Sequence, residues 1–113
     1  MCRLTVQVFD PNGKYLSSIG GPGDSTGYFQ RPKDLGLDSD GNLYVVDALF
    51  DTVQIFDSSG EFLLNFGKEG EGDGEFWLPS GIAIDEQDRV YVADSYNSRV
   101  QIFKYVKPGA EYE

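Results

Sequence analysis

A 47-residue period runs through this chain and constrains its fold more than any other feature. Val6-Gln7-Val8-Phe9-Asp10 returns as Val53-Gln54-Ile55-Phe56-Asp57 and again as Val100-Gln101-Ile102-Phe103-Lys104. Residues 6–52 set against 53–99 without a gap share 15 identities in 47 positions. Asp10/Asp57, Gly13/Gly60, Gly20/Gly67, Phe29/Phe76, Pro32/Pro79, Asp38/Asp85, Tyr44/Tyr91 and Asp47/Asp94 are among them. A unit repeated in register is one that cannot bury its apolar face alone and stacks on its neighbours.

Each period reads as four short strands. In the central copy they are Asp34–Asp38, Asn42–Asp47, Thr52–Asp57 and Glu61–Phe66, rich in β-branched and aromatic residues. Asp-X-X-Gly turns separate them at 38–41 and 57–60, and Asp10-Pro11-Asn12-Gly13 is the same turn one copy earlier. The Asp side chain accepts from the turn amides, and Gly takes the positive φ. No segment has a 3.6-residue apolar period, so no helix is expected.

A gradient in side-chain size then selects among all-β architectures. The first strand of a copy carries small residues, Gly36 in one and Gly81 with Ala83 in the next. The fourth carries large ones: Tyr15, Leu16 and Ile19, then Phe62, Leu63, Leu64 and Phe66. Leu43-Tyr44-Val45-Val46 and Val90-Tyr91-Val92-Ala93 are apolar on both faces, as a strand between two sheets requires. Sheets set radially, close at a hub and apart at the rim, need that taper. The expected fold class is all-β, a partial β-propeller of tandem four-stranded blades.

Leu78-Pro79-Ser80-Gly81-Ile82-Ala83-Ile84-Asp85 and the following Val90-Tyr91-Val92-Ala93-Asp94-Ser95-Tyr96-Asn97-Ser98-Arg99-Val100-Gln101-Ile102-Phe103 resemble an NHL repeat. The resemblance extends over roughly residues 5–104. The copy at 32–57 departs from it: Asp34 replaces the glycine after proline, and Ala48-Leu49-Phe50-Asp51-Thr52 replaces the Ser-X-Asn-X-Arg segment. The resemblance implies a six-bladed propeller whose strands run from the axis outward. Against it, this chain supplies the outer strands of one blade at about 5–20, a complete blade at about 32–67, a partial blade at about 79–105 and a tail at 106–113. An open blade face exposes about 300–400 Å² of apolar surface, or about 8–10 kcal/mol of unrealised burial. A fragment of a longer propeller is therefore expected, in preference to copies assembling a ring, because strands at 5–19 and 99–104 would compete for one slot.

The expected function is a non-enzymatic scaffold that binds a protein, a peptide or another ligand. The alternative is a propeller portion of a larger enzyme or sensor, lyase-like or receptor-like, whose catalytic residues lie outside this chain. The sequence has no histidine, which removes imidazole acid–base chemistry, Ser-His-Asp and Cys-His arrangements and imidazole metal ligands. The resemblance also implies relatives that are peptide-amidating lyases using histidine-bound metal, a site these residues cannot form alone. No catalytic residue, cofactor or metal site is expected. Asp38-Ser39-Asp40-Gly41-Asn42 begins like a calcium loop, but its glycine comes too early and the closing glutamate is missing. The glycine-rich connections 20–33 and 67–80 lack the Lys-Ser/Thr ending of a phosphate loop.

Nineteen acidic residues against nine basic ones give a formal net charge of −10. That favours basic proteins or peptides as partners and disfavours DNA, RNA and anionic membranes. Further propeller blades, in cis or from other copies, are expected as partners of the open apolar faces. RNA binding, which the resemblance implies for some relatives with basic faces, is disfavoured by the same charge. The single Cys2 forms no intrachain disulfide, and no membrane-spanning or signal-peptide core is present in these residues. Phe29 and Phe76 are expected as wedges between blades, and Asp47, Asp94, Asn97 and Arg99 as structural, with Asp94–Arg99 a surface ion pair, although Asn97 also varies between copies and stands among the candidate contacts as well. The candidate ligand contacts are the non-repeating residues Tyr28, Arg31, Lys33, Leu49, Phe50, Trp77, Tyr96 and Asn97, expected on loops at the faces of the ring.

Overall fold

Strands form where the apolar runs stand. The computed structural model describes residues 4–21 and 26–104; Cys2, Gly23 and the tail at 106–113 fall outside the described residues. Nine strands follow in chain order: β1 (Val6–Phe9), β2 (Tyr15–Ile19), β3 (Pro32–Leu37), β4 (Leu43–Asp47), β5 (Thr52–Phe56), β6 (Phe62–Phe66), β7 (Gly81–Ile84), β8 (Arg89–Asp94) and β9 (Arg99–Lys104). The expected strands of the central copy are all present within two residues of their predicted ends. No α-helix occurs among the described residues; one 3-10 turn, Ser95–Asn97, joins β8 to β9.

These strands make three antiparallel meanders, β1-β2, β3-β4-β5-β6 and β7-β8-β9, packed as successive blades of a partial β-propeller. The Asp turns close each hairpin as their chemistry requires. Asp38 Oδ1 accepts from the amides of Asp40 and Asn42, both at 2.9 Å, and its Oδ2 from Asn42 Nδ2 and the Tyr44 hydroxyl at 3.0 Å. With both oxygens engaged in this way, the calcium-like run reads as a hairpin turn. Asp10, Asp57 and Asp85 repeat the arrangement. In the last turn Asp88 stands where the others have glycine and takes φ 61°.

The two middle strands of the central blade, β4 and β5, are buried on both faces. Leu43, Val45 and Phe56 pack with Ile19 and Phe29 toward the first blade; Tyr44, Val46, Val53 and Ile55 pack with Phe76, Ile82, Val90 and Val92 toward the third. Alternation along β4 and β5 sends successive side chains into different blade interfaces, which is why both strands are buried throughout. At the hub the blades nearly touch. A Cβ on Gly36 would lie 3.4 Å from the Ile84 side chain, and Ile82 N donates to Asp34 Oδ2 at 3.0 Å across the same interface. At the rim they spread, and aromatic rings fill the widening gap. Phe29, Phe56 and Phe62 stack edge-on in one wedge, and Phe66, Phe76 and Phe103 cluster in the next. Phe29 and Phe76 are fully buried, as expected of wedges.

Apolar side chains stay exposed on the first strand of the central blade and on the far side of the third blade. Leu35 and Leu37 of β3 are exposed, because among the described residues the first blade brings only β1 and β2 against the central one. On the far side of the third blade, Val100 and Ile102 are each 61% exposed.

Candidate functional site

An antiparallel meander places alternate connections at opposite ends of its strands, and this chain sorts its connections accordingly. The Asp turns at 10–14, 38–42, 57–61 and 85–89 all lie on one rim. The other rim collects the turn at 48–51, the 3-10 turn, the described ends of the first long connection at 20–21 and 26–31, and the second long connection at 67–80. Seven of the eight candidate contacts lie in those four connections. Lys33 is the correction: it sits inside β3, beside the register shift between Pro32 and Asp34, at the end of the strand that opens onto the same rim.

Two buried aspartates hold this rim. Asp47 Oδ2 accepts from Gln30 N at 2.8 Å, and its Oδ1 from Arg31 N at 2.9 Å and Leu49 N at 3.2 Å. One period later, Asp94 Oδ1 accepts from Trp77 N at 2.7 Å, and its Oδ2 from Asn97 Nδ2 and Arg99 Nε, each at 2.9 Å. Desolvation acts to raise the Asp94 pKa, but the Trp77 amide, Asn97 and the Arg99 guanidinium outweigh it and hold the carboxyl below its ordinary value. The Asp94 side chain is fully buried, so the ion pair expected at the surface lies within the rim instead. Asp51 ties the blades together by accepting from Leu78 N at 2.7 Å.

Among the predicted contacts, Arg31, Lys33, Leu49 and Tyr96 line one groove of about 430 Å³ between the central and third blades, with Ala48, Leu78, Pro79, Ser80 and Ser95. Ser80 Oγ and Ser95 Oγ hydrogen-bond to each other across its wall. Trp77 joins the groove through Tyr96: their rings lie 5.2 Å apart, tilted by 60°, and are 43% and 60% exposed. Three predicted residues stand apart. Phe50 lines a separate hollow with Thr52, Gln54, Lys68 and Glu69. Tyr28 is exposed, and its ring covers Gly21. Asn97 is committed internally, its amide donating to Gly70 O at 2.8 Å and to Asp94.

Two glutamines that the sequence marks only as repeat positions anchor the long connections. Gln54 accepts from Gly27 N at 2.8 Å and donates to Tyr28 O at 2.7 Å. Gln101 accepts from Gly74 N at 3.0 Å and donates to Glu75 O at 2.8 Å. Each fixes a long connection against the third strand of its blade. The family model of the NHL repeat matches residues 76–103, the third blade with its Phe76 wedge. The chain carries an NHL repeat. Residues 29–56, one period earlier, build the same three strands of the NHL blade with Phe29, Asp47 and Gln54 in the roles of Phe76, Asp94 and Gln101.

Proposed function

We propose that this chain is a non-enzymatic NHL-propeller scaffold that binds a protein or peptide segment across its connection rim. The observation that carries the reading is the gathering of Arg31, Lys33, Leu49 and Tyr96 at one groove, with the Trp77 ring packed against Tyr96 from beside it. Repeat-matched positions on this rim, Asp47 with Asp94 and Gln54 with Gln101, have internal bonding partners. The groove side chains do not match across the period: Trp77 stands where the earlier copy has Gln30, and Tyr96 where it has Leu49. Variation on a repeated frame, exposed and aromatic, is the usual composition of a recognition surface. The scaffold reading over an enzymatic one is supported by the missing histidine and by buried carboxylates already engaged by backbone amides.

The same reading places the chain in a larger ring, six-bladed as the NHL resemblance implies. Exposed Leu37 on one side and Ile102 on the other present apolar faces that a neighbouring blade would cover. Those blades come from a longer polypeptide or from other copies.

Selection of a displayed random-peptide library on the folded chain tests the binding rim. Selected peptides are expected to lose binding to Trp77→Ala and Tyr96→Ala and to keep it for Ser59→Ala on the opposite rim. Peptides indifferent to the first two substitutions would overturn the reading.

A further inference from the structure

The connection-rim groove has a local charge opposite to that of the chain. Its lining includes Arg31 and Lys33 and no acidic side chain, in a protein with 19 acidic and 9 basic residues. Among the described residues, the ion pairs use Lys68, Arg89 and Arg99, so neither groove cation is neutralised by a carboxylate. Neighbouring carboxylates are engaged by backbone amides: Asp47 by Arg31 N, Asp51 by Leu78 N and Asp34 by Ile82 N. Beside the cations stand apolar walls, Leu49, Leu78 and the Tyr96 ring. Low-dielectric walls strengthen any charge pairing made between them.

We propose, resting on the scaffold reading above, that this groove recognises an acidic peptide segment of a partner protein. A carboxylate would sit between Arg31 and Lys33, with an aliphatic or aromatic neighbour against Leu49 and Tyr96. Arg31 offers the planar fork that matches a carboxylate, and Lys33 adds a point charge. Charge complementarity selects this occupant over a basic peptide, although the whole-chain charge favours basic partners. An extended polyanion fits worse than a short acidic stretch. The same rim carries Glu69, Glu71 and Asp73, whose field repels a phosphate backbone running past the groove.

Fluorescence anisotropy with the full chain tests this, using a labelled Glu-Leu-Glu-Tyr-Glu peptide and its Gln-Leu-Gln-Tyr-Gln counterpart. The Glu peptide is expected to bind at least about tenfold tighter, and to weaken as salt rises from about 50 to 300 mM. Arg31→Gln/Lys33→Gln, with its fold verified by circular dichroism, is expected to remove that preference. Lys14→Gln/Lys104→Gln, away from the groove, is expected to keep it. Equal binding of the two peptides, an unchanged preference in the groove variant, or tighter binding of a single-stranded oligouridylate at the same residues would overturn the proposal. If library peptides need Trp77 and Tyr96 but are neutral or basic, the acidic-ligand proposal fails while the scaffold reading stands. If no peptide binds the rim, both fail.

Discussion

Gly67 and Gly13 both turn the chain at positive φ, 94° and 88°, yet their surroundings make them unequal. A Cβ on Gly67 would fall 2.3 Å from the Phe76 ring, whereas one on Gly13 would meet nothing within 4 Å. Gly13→Ala therefore carries only the left-handed strain, about 1–2 kcal/mol. Gly67→Ala must also displace a fully buried wedge, and its expected cost is about 3 kcal/mol or more, read as the difference in urea unfolding free energy. Aspartates give the stability of the fold its pH dependence. Partial desolvation acts to raise the Asp85 pKa, but the Arg89 amide and guanidinium, the Tyr91 hydroxyl and the Gln87 amide lower it to about 2 from 3.8. Asp57 and Asp94 are lowered as well. A depressed carboxylate contributes stability above its unfolded pKa of 3.8 and loses it as pH falls through the folded value. With no histidine to titrate, the thermal midpoint is expected to stay level from about pH 5 to 8 and to drop between about pH 4 and 2. Asp85→Asn is expected to make that acid limb shallower.

Strands and turns were legible because their causes are local. Asp-X-X-Gly closes a hairpin wherever it stands, and the both-faces-apolar Leu43–Val46 run becomes β4 because blades cover it from two sides. The long connections were less legible, since their order depends on partners about half a period away. Gln54 reaches Gly27, Gln101 reaches Gly74, and Asn97 reaches Gly70, each across 27 residues. A signal was present in the recurrence of Gln54 with Gly27 at Gln101 with Gly74, but the register between connection and strand appears only in the folded blade. Asn97 carries two readings in the sequence, structural beside Asp94 and a contact by non-repetition, and its bond to Gly70, which favours the first, is invisible until the rim is assembled. The groove likewise needs two blades, for Arg31 and Tyr96 are 65 positions apart. Replacing Gln54 by Ala, a residue only 2% exposed, leaves Gly27 N and Tyr28 O without their partner. The expected cost is about 2–3 kcal/mol, with amide exchange quickening at 26–30 before the rest of the central blade.

Among the described residues two complementary faces stay uncovered: no inner strand packs over Leu35 and Leu37, and no sheet packs over Val100 and Ile102. The chain on its own is expected to associate through these faces, and Leu37→Glu with Ile102→Lys to shift light-scattering mass toward the monomer. A mass unchanged by those substitutions would argue that the faces attract nothing. Both expectations, and the placing of the groove, depend on blades that converge at a hub and diverge toward the rim. Methyl-resolved nuclear Overhauser spectroscopy tests that geometry directly. Cross-peaks are expected from the Ile84 δ-methyl to Gly36 Hα, and from the Phe66 ring to the Phe103 ring, whose centroids lie 4.8 Å apart. If the Ile84 methyl instead contacts Leu64 on the outer strand, with no peak to Gly36, the sheets are stacked flat and the propeller account is wrong.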